Sequence, residues 1–423
     1  MAAPKILVIS NNALNVKNSN GRTLGLLLED IPKENLMQFY IRDEAVSPEL
    51  VGRAYRITDR AMVKGLFSRK IRAEAAPVES AAEAGQSAPR QAVKKSAATV
   101  LMREIVWGLG FRRTDWIETA KAFKPDSVLL LMGDNAFLMK LSRYIARKCA
   151  SKMMVYTTED YCFKTWNYFG GGKPSLFFRI FKSLYDRTIA GFMDGVRLCV
   201  ANTPLLAREY HEKFSVDTDV IMAAASASEP GDGTETKKRM IYAGNLNLDR
   251  YKSIIRIAEA LRETDDGFVI DVYGHADTAM TAEMSRCPNI KLHGFIPYND
   301  LLREMKSAFA LLHCESFDDF YRKDLRHAFS TKIADSLAGG VPLLLFAPET
   351  FAETAYLVGN KAAFVCTSEE RLKPEIASLL NDAARRKKVV GNALDLANVN
   401  HDRAKNRRKM ALLIEKTAGS EAG

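Results

Sequence analysis

The sequence lacks features that would place the protein outside the cytoplasm or within a membrane. Its six cysteines, at positions 149, 162, 199, 287, 314 and 366, have no paired spacing. That scatter is typical of reduced thiols rather than of a disulfide framework or a zinc site. No apolar run approaches the length needed to span a bilayer, and the N-terminus MAAPKILVIS has no signal-peptide core or cleavage pattern. We therefore expect a cytoplasmic protein that is either soluble or peripheral to a membrane.

Acidic residues are in deficit. The chain has 61 Lys and Arg against 51 Asp and Glu, which gives a formal net charge of +10. Such an excess favours an anionic partner, which is a nucleic acid, a phosphorylated substrate or a membrane surface. Because the sequence contains no zinc finger, RNP-like aromatic strand or recognition-helix module, nucleic acid is a minor alternative and we predict no nucleic-acid partner.

The pattern of apolar residues predicts an α/β protein with two doubly wound domains. At 423 residues the chain is too long for one core of ordinary size. Short apolar runs alternate with helical patterns, which indicates parallel sheets covered on both faces. Strands are predicted at residues 5–10, 37–41, 127–132, 153–157, 197–202 and 219–224, and then at 239–244, 268–274, 289–296, 309–314, 341–347 and 362–367. The predicted organisation is a first domain at 1–226 with a flexible insertion at 73–98, a linker at 227–238, a second domain at 239–400, and a C-terminal helix and tail at 401–423.

Four sequence blocks of the second half occur in a distinctive order: YAGNLNLDRYKSIIRIAEAL, VYG, NIKLHGFIPYNDLLREMKSAFALLHCES and STKIADSLAGGVPLL. Together they resemble the nucleotide-sugar-binding half of a GT-B glycosyltransferase, close to the retaining enzymes of glycosyltransferase family 4. The resemblance covers about residues 240–367, and it extends more loosely to the first domain through ILVISNNALNVKNSNGRT. It implies two Rossmann-like domains that face each other across a cleft, with a C-terminal helix that can cross back to the first domain.

The resemblance also implies roles for residues near the GGVP turn. Asp335 takes the place of an acid that grips the donor ribose, and Lys332 is expected at the diphosphate. Ser330 and Thr331 are expected near the helix start, as caps or as phosphate donors. Lys332 and Asp335 also have the spacing of an ordinary surface salt bridge, which remains an alternative. The family has a second acid eight residues before Asp335, where this chain has His327.

A second group of candidate residues follows the predicted strand at 239–244. In the family a glycine ends this strand, as Gly244 does here, and a basic residue six positions later neutralises the donor phosphates. Arg250 matches that residue, whereas Asn245 replaces an arginine that usually follows the glycine. Arg250 and Lys252 would then form the cationic clamp, with ordinary solvated charges as the alternative. We predict a metal-independent reaction, because no Asp-x-Asp motif occurs in a suitable loop.

The remaining candidates are more weakly marked. Gly21 opens the first-domain helix that would face the ligand, although it also fits an ordinary loop-to-helix turn. Glu159 and Asp160 end a predicted strand, where they would orient or deprotonate an acceptor hydroxyl or simply cap the next helix. His275 follows Gly274 at a strand end and is assigned to the donor site, with a plain loop residue as the alternative.

Residues 51–72 hold seven basic residues and one acid, Asp59, together with bulky apolar residues near helical spacing. This pattern predicts an amphipathic helix lying on an anionic membrane, or a core-facing helix with a solvated basic side. Trp107 and Trp116, which follow the insertion, are expected to extend this membrane-facing surface.

The function predicted from these features is transfer of a sugar from a nucleotide-sugar donor to a saccharide or lipid-linked acceptor, with retention of configuration. The expected pathway is cell-surface polysaccharide or glycolipid biosynthesis at the inner face of the cytoplasmic membrane. Two alternatives remain: a nucleotide-sugar epimerase of the same fold, and a degenerate, non-catalytic transferase-like scaffold.

Overall fold

A computed structural model of the chain describes residues 3–15, 19–78, 96–158, 160–169, 173, 175–225 and 238–419. It divides into two compact units, the first formed by Met1–Met222 with Asn406–Gly423 and the second by Ala223–Lys405. Most of the predicted linker and residues 79–95 of the predicted insertion lie outside the described residues.

The first unit is built on an eight-stranded sheet. Its strands are β1 (Ile6–Ile9), β2 (Leu36–Tyr40), β3 (Arg53–Arg56), β4 (Glu74–Ala75), β5 (Ser127–Leu131), β6 (Lys152–Thr157), β7 (Leu198–Ala201) and β8 (Thr218–Val220). They follow the order β4-β3-β2-β1-β5-β6-β7-β8, and all pairs are parallel except β3 with β4. The order reverses at β1, which is characteristic of a doubly wound sheet.

The helices of the first unit cover both faces of this sheet. They are α1 (Ser19–Leu27), α2 (Asp59–Gly65), α3 (Ala97–Gly110), α4 (Trp116–Phe123), α5 (Ala136–Cys149), α6 (Leu176–Met193) and α7 (Pro204–Phe214). Strand β1 shows why both faces need cover. Leu7 and Ile9 belong to one apolar core and Ile6 and Val8 to the other, because successive side chains point to opposite faces.

The second unit contains a six-stranded, wholly parallel sheet. Its strands are β9 (Arg239–Ala243), β10 (Val269–Tyr273), β11 (Ile290–Gly294), β12 (Ala310–Cys314), β13 (Leu343–Phe346) and β14 (Phe364–Cys366), in the order β11-β10-β9-β12-β13-β14. Its helices are α8 (Arg250–Thr264), α9 (Thr278–Met284), α10 (Tyr298–Lys306), α11 (Asp319–Asp324), α12 (Thr331–Ala338), α13 (Ala352–Asn360), α14 (Leu372–Asn381) and α15 (Ala383–Asn400).

The final helix, α16 (Arg403–Ala418), packs on the first unit although it follows the second in sequence. Its Met410 and Ile414 are buried in the core that contains Ile6 and Val8. Arg407 also pairs with Glu29 at 2.6 Å. The two α/β units and this returning helix confirm the predicted fold class.

The prediction of one amphipathic helix over residues 51–72 is wrong. The segment forms strand β3 and the separate helix α2, and four of its apolar residues are buried: Val51, Ile57, Met62 and Ile71. Residues 53–56 form a strand despite the helical spacing of the apolar residues, because they pair with β2. Ion pairs of Arg56 with Asp43 at 2.5 Å and with Glu74 at 3.1 Å also stabilise this strand.

The expectation that Trp107 and Trp116 extend a membrane-facing surface is also wrong. Both rings are fully buried, Trp107 stacked on Phe137 with centroids 4.8 Å apart and Trp116 stacked on Phe39 at 5.1 Å. Within the described residues, no helix has both the length and the apolar character that crossing a bilayer requires.

Candidate functional site

The candidate site of the second unit lies where its strand order reverses. Strands β9 and β12 are neighbours in the sheet, although β10 and β11 separate them in sequence. Chain segments leave the carboxyl ends of these two strands in opposite directions, which opens the crevice where such sheets bind ligands. Arg250 begins the helix after β9, and Glu315 directly follows β12.

Arg250 and Glu315 form a bidentate ion pair at this crevice. Arg250 Nε donates to Glu315 Oε2 and Nη2 donates to Oε1, both at 2.8 Å. The Glu315 carboxylate is buried, with only 2% of the residue exposed. Burial alone would raise the pKa of Glu315, but hydrogen bonding to His313 and the charge of Arg250 lower it overall. Arg250 is therefore a cation held in a fixed orientation, rather than a mobile loop charge.

The ion pair continues inward through two more buried groups. His313 Nε2 lies 3.6 Å from Glu315 Oε1 and 3.2 Å from Glu353 Oε1. Burial lowers the pKa of His313, but Glu353 and Glu315 more than offset this effect and raise it to about 9. At neutral pH the four side chains thus form an alternating chain of charges, Arg⁺–Glu⁻–His⁺–Glu⁻, which we call the buried charge chain.

His313, Glu315 and Glu353 are also the group of metal-ligand side chains found in the described part of the protein, with ligand atoms within 4.8 Å of one another. Their residue types suit a divalent transition metal. However, both Glu315 oxygens already accept hydrogen bonds from Arg250. A metal would therefore be bound beside a guanidinium cation, so the arrangement suits the protonated His313 better than a second cation.

Lys332 lies on the first turn of α12, close enough to Arg250 for their charges to interact. Desolvation by surrounding protein lowers the pKa of Lys332, and Arg250 lowers it further, while Asp335 acts in the opposite direction. Ser330 precedes the helix, and its side chain makes no capping hydrogen bond. The start of α12 beside Lys332 therefore lacks a side-chain cap, although Ile333 N–H donates to Ser330 O at 3.1 Å. A helix N-terminus of this kind suits an anion.

Asp335 lies one turn further along α12 and accepts a hydrogen bond from the Tyr298 hydroxyl at 2.5 Å. Asp335, Tyr298 and Lys332 line a cavity of about 110 Å³. The other lining residues come from β9, α10, β12 and α12: Ile241, Ala243, Leu301, Met305, Leu311, Leu312, His313 and Ser336. Ligand pockets usually measure roughly 300–1,000 Å³, so this cavity accommodates only part of a nucleotide sugar.

The loop after β9 contains two residues in the left-handed backbone conformation and is held by short-range hydrogen bonds. Leu248 and Asp249 have φ values of 63° and 60° immediately before α8, a conformation that costs about 1–2 kcal/mol per residue. The Tyr242 hydroxyl donates to Asn245 O, and Asn245 Oδ1 accepts from Asn247 N, both at 2.8 Å. Asn245 thus stabilises the loop rather than supplying the charge that an arginine would have carried.

Gly274 is required where β9 and β10 end side by side. A Cβ atom on Gly274 would lie 2.1 Å from the Gly244 carbonyl oxygen, a backbone atom. We expect Gly274→Ala to lower the free energy of unfolding by about 1–3 kcal/mol or more, measured by urea denaturation. The control is Gly359→Ala in α13, where nothing lies within 4 Å of the added carbon. That change should stabilise the helix by about 0.5–1 kcal/mol; equal effects of the two variants would contradict the close contact.

Two other predicted donor residues lie elsewhere in the second unit. Lys252 pairs with Asp249 at 3.0 Å, and it lines a separate depression of about 370 Å³ that does not include Lys332 or Asp335. His275 is exposed after β10 and stacks on Phe295, with ring centroids 6.5 Å apart and planes 7° from parallel. Neither residue joins the group formed by Arg250, Lys332 and Asp335. Thr331 is exposed at the start of α12.

The two described candidates of the first unit, Gly21 and Asp160, are both buried. Gly21 is buried within α1. Asp160 is buried and lies 3.2 Å from the ammonium of Lys164, so its carboxylate already has a cationic partner. Glu159 lies outside the described residues.

Sequence reasoning missed Tyr298 and Glu353 as members of the site. Tyr298 is 37 residues before the aspartate that it contacts, and only the folding of α10 beside α12 brings them together. Glu353 is within α13 and is almost fully buried. The available signals were two separate stretches that end or follow predicted strands: HCES, with one histidine and one acid, and PETFAET, with two acids. Nothing in their spacing links one stretch to the other.

Solved structures match this chain over almost its whole length. HepE of Anabaena in complex with UDP has a TM-score of 0.63 and 10% identity, over 97% of this chain and 100% of that chain. Sucrose-phosphate synthase from Thermosynechococcus elongatus has the same score and identity, over 97% and 98% of the two chains. The chain has the GT-B fold.

A further GT-B match is the lipopolysaccharide outer core galactosyltransferase WaaB in its apo form, with a TM-score of 0.60 and 11% identity, over 97% of this chain and 99% of that chain. No protein-family model matches the sequence, and no curated protein is similar to it at the sequence level. At these sequence identities the structural likeness establishes the GT-B fold alone.

Proposed function

We propose that the protein is a glycosyltransferase that moves a sugar from a nucleotide-sugar donor to a saccharide or lipid-linked acceptor. The observation that carries this proposal is the grouping of Arg250, Lys332 and Asp335 at the carboxyl ends of β9 and β12. The fold adds support, since the matched HepE structures include complexes with UDP and with UDP-glucose. A UDP-sugar is therefore the donor to test first.

The cations of the site suit a departing diphosphate. As the glycosidic bond to the donor phosphate breaks, negative charge develops on the leaving oxygens, and fixed cations lower the energy of that state. Lys332 would contact these oxygens together with the N-terminal end of α12, while Arg250 would add its oriented positive charge. Because two cations supply this stabilisation, the proposed reaction needs no metal, and we propose retention of configuration.

Asp335 would recognise the ribose. A carboxylate can accept hydrogen bonds from both vicinal hydroxyls of a ribose, and one Asp335 oxygen already accepts from Tyr298. Tyr298 would therefore hold the carboxylate in a fixed orientation before the donor binds. Restricting the carboxylate in this way reduces the entropy lost on binding.

For the acceptor side we propose Glu159 or Asp160 as the group that orients the attacking hydroxyl. Asp160 lies 3.2 Å from the Lys164 ammonium, and its carboxylate oxygens would act on the hydroxyl as hydrogen-bond acceptors. The proposed setting is cell-surface polysaccharide or glycolipid synthesis in the cytoplasm, at the inner face of the cytoplasmic membrane.

Calorimetric titration with UDP, GDP, ADP and their sugars tests donor binding. We expect one nucleotide series to bind, and Asp335→Ala to weaken its binding about 10- to 100-fold, since hydrogen bonds to charged groups contribute about 1.5–3 kcal/mol. Asp395→Ala, which removes an exposed carboxylate from α15, should leave the affinity unchanged.

The titration is combined with product analysis after incubation with and without acceptors. Absence of binding by all three series would overturn the proposal. Conversion of a UDP-sugar to its epimer without any acceptor would replace it with an epimerase. Donor binding without product over a panel of lipid-linked and free saccharide acceptors would indicate a non-catalytic scaffold.

A further inference from the structure

Among the described residues, the first unit has an extensive exposed apolar surface. It is formed by α3, which packs against both α2 and α6, and by those two helices. Eight large apolar side chains there are between 48% and 99% exposed. We call the following group the apolar surface: Val63, Phe67, Met102, Ile105, Leu109, Leu176, Phe177 and Ile180.

In helix α3 the exposed apolar side chains form a continuous stripe and are not isolated from one another. Its sequence AATVLMREIVWGLG is apolar on nearly all sides. Val100 and Trp107 point into the core, while Met102, Ile105 and Leu109, spaced three and four residues apart, form a second stripe toward solvent. A helix that is apolar all round normally has a partner on each face, and in the part of the chain that the structure describes only the inner face of α3 has one.

Basic residues surround the apolar surface. Residues 59–72, 97–113 and 173–187 contain twelve Lys and Arg but only three Asp and Glu. Each of the three acids is already engaged. Asp59 accepts from Arg103 Nε at 2.8 Å, buried Glu104 accepts from two backbone N–H groups of α5, and Asp186 pairs with Lys182.

Several of these cations are exposed beside the apolar side chains. Arg60 and Lys64 lie on α2, Arg69 and Lys70 follow Phe67, Arg112 follows α3, and Arg179 precedes Ile180 on α6. Positive charge interspersed with bulky apolar groups complements a surface that is anionic at its headgroups and apolar just beneath.

We propose that the apolar surface of α2, α3 and α6 docks the protein onto an anionic phospholipid bilayer. Phe67, Phe177 and Leu109 would enter the acyl boundary while the surrounding arginines and lysines contact lipid phosphates. A second copy of this chain is a poorer occupant, because two such basic surfaces repel each other at close range. The proposal is independent of the donor site and does not rest on the proposed transferase activity.

Co-sedimentation of the full chain with vesicles tests this proposal. We expect binding to phosphatidylcholine vesicles that contain phosphatidylglycerol, weaker binding to pure phosphatidylcholine, and weakening of the former at high salt. The double variant F67S/F177S should bind at least about tenfold more weakly. Each of R60A, R69A and R179A should cost about fivefold, the effect of roughly 1 kcal/mol for each basic residue near the membrane surface.

The controls use the same substitutions elsewhere on the first unit. Leu412→Ser removes a side chain that is 65% exposed on α16, and Arg208→Ala removes an exposed charge on α7; neither should change vesicle binding. Equal losses in control and surface variants would overturn the proposal. So would absence of vesicle binding by the wild-type chain, or a concentration-dependent dimer in solution that F67S/F177S converts to a monomer, since a second copy would then occupy the surface.

Discussion

Lys332→Ala is expected to lower transferase turnover by about 10²–10³-fold, the usual effect of removing one preorganised group that stabilises developing negative charge. The loss should fall mainly on kcat, because in the proposed mechanism Lys332 would contact charge that grows as the diphosphate leaves. The pKa of Lys332 is lowered by desolvation and by Arg250. In the wild-type protein, the proposed transferase activity should therefore decline with rising pH earlier than an ordinary lysine would cause, as the ammonium loses its proton.

Steady-state kinetics with saturating donor measures this effect. The matched control is Lys387→Ala, which removes an exposed lysine from α15 in the same unit and should leave turnover unchanged. Lys332→Arg retains the charge, and it should recover part of the activity and move the alkaline decline to higher pH. Wild-type turnover in Lys332→Ala would remove this residue from the proposed mechanism.

Much of the fold could be predicted from the sequence because buried parallel strands consist of continuous apolar runs. ILVI and SVLLL are fully buried strands in the structure, as their composition predicts. Strand β3 could not be found in this way, since its sequence RAYR has two arginines and no apolar run. It is held at the sheet by pairing with β2 and by ion pairs of Arg56, which depend on residues distant in the sequence.

The candidate site shows the same division. Lys332 and Asp335 share one short helix, so their proximity follows from the local spacing. The hydrogen bond from Tyr298 to Asp335 and the contact of Glu353 with His313 join separate elements, and periodicity carries no information about them. Sequence reasoning also treated Arg250 as a phosphate clamp together with Lys252, whereas in the structure buried Glu315 binds Arg250 with two hydrogen bonds.

This difference alters the electrostatics of the site. The negative charge of Glu315 offsets the positive charge of Arg250. Without another cation near Glu315, this would weaken the attraction of Arg250 for a diphosphate. The second cation, His313, lies on the other side of Glu315 and shares its negative charge. The buried charge chain thus fixes the Arg250 guanidinium at the crevice, with the Glu315 charge shared between Arg250 and His313.

Glu315→Gln is expected to lower the free energy of unfolding by about 3–5 kcal/mol, because it leaves Arg250 without its carboxylate at a buried site. Urea denaturation followed by circular dichroism, or hydrogen exchange in β9 and β12, measures this loss. Tryptophan fluorescence would miss it, since the three tryptophans, at 107, 116 and 166, belong to the first unit. The control is Glu263→Gln, which breaks an exposed pair with Lys373 and should cost at most about 1 kcal/mol.

The pH dependence of stability distinguishes the charge chain from a metal site. Because the folded-state pKa of His313 is raised to about 9, its contribution is complete below the ordinary histidine pKa of about 6.5 and is lost as the pH rises through about 9. Glu353→Gln removes the strongest influence that raises the pKa of His313, so the variant should lose most of this alkaline dependence. A metal bound by His313 and the two glutamates would have the opposite effect, since ligation requires neutral imidazole and strengthens as protons leave. Stabilisation by added Zn²⁺ that increases with pH, and is abolished by Glu353→Gln, would therefore replace the charge chain with a metal centre.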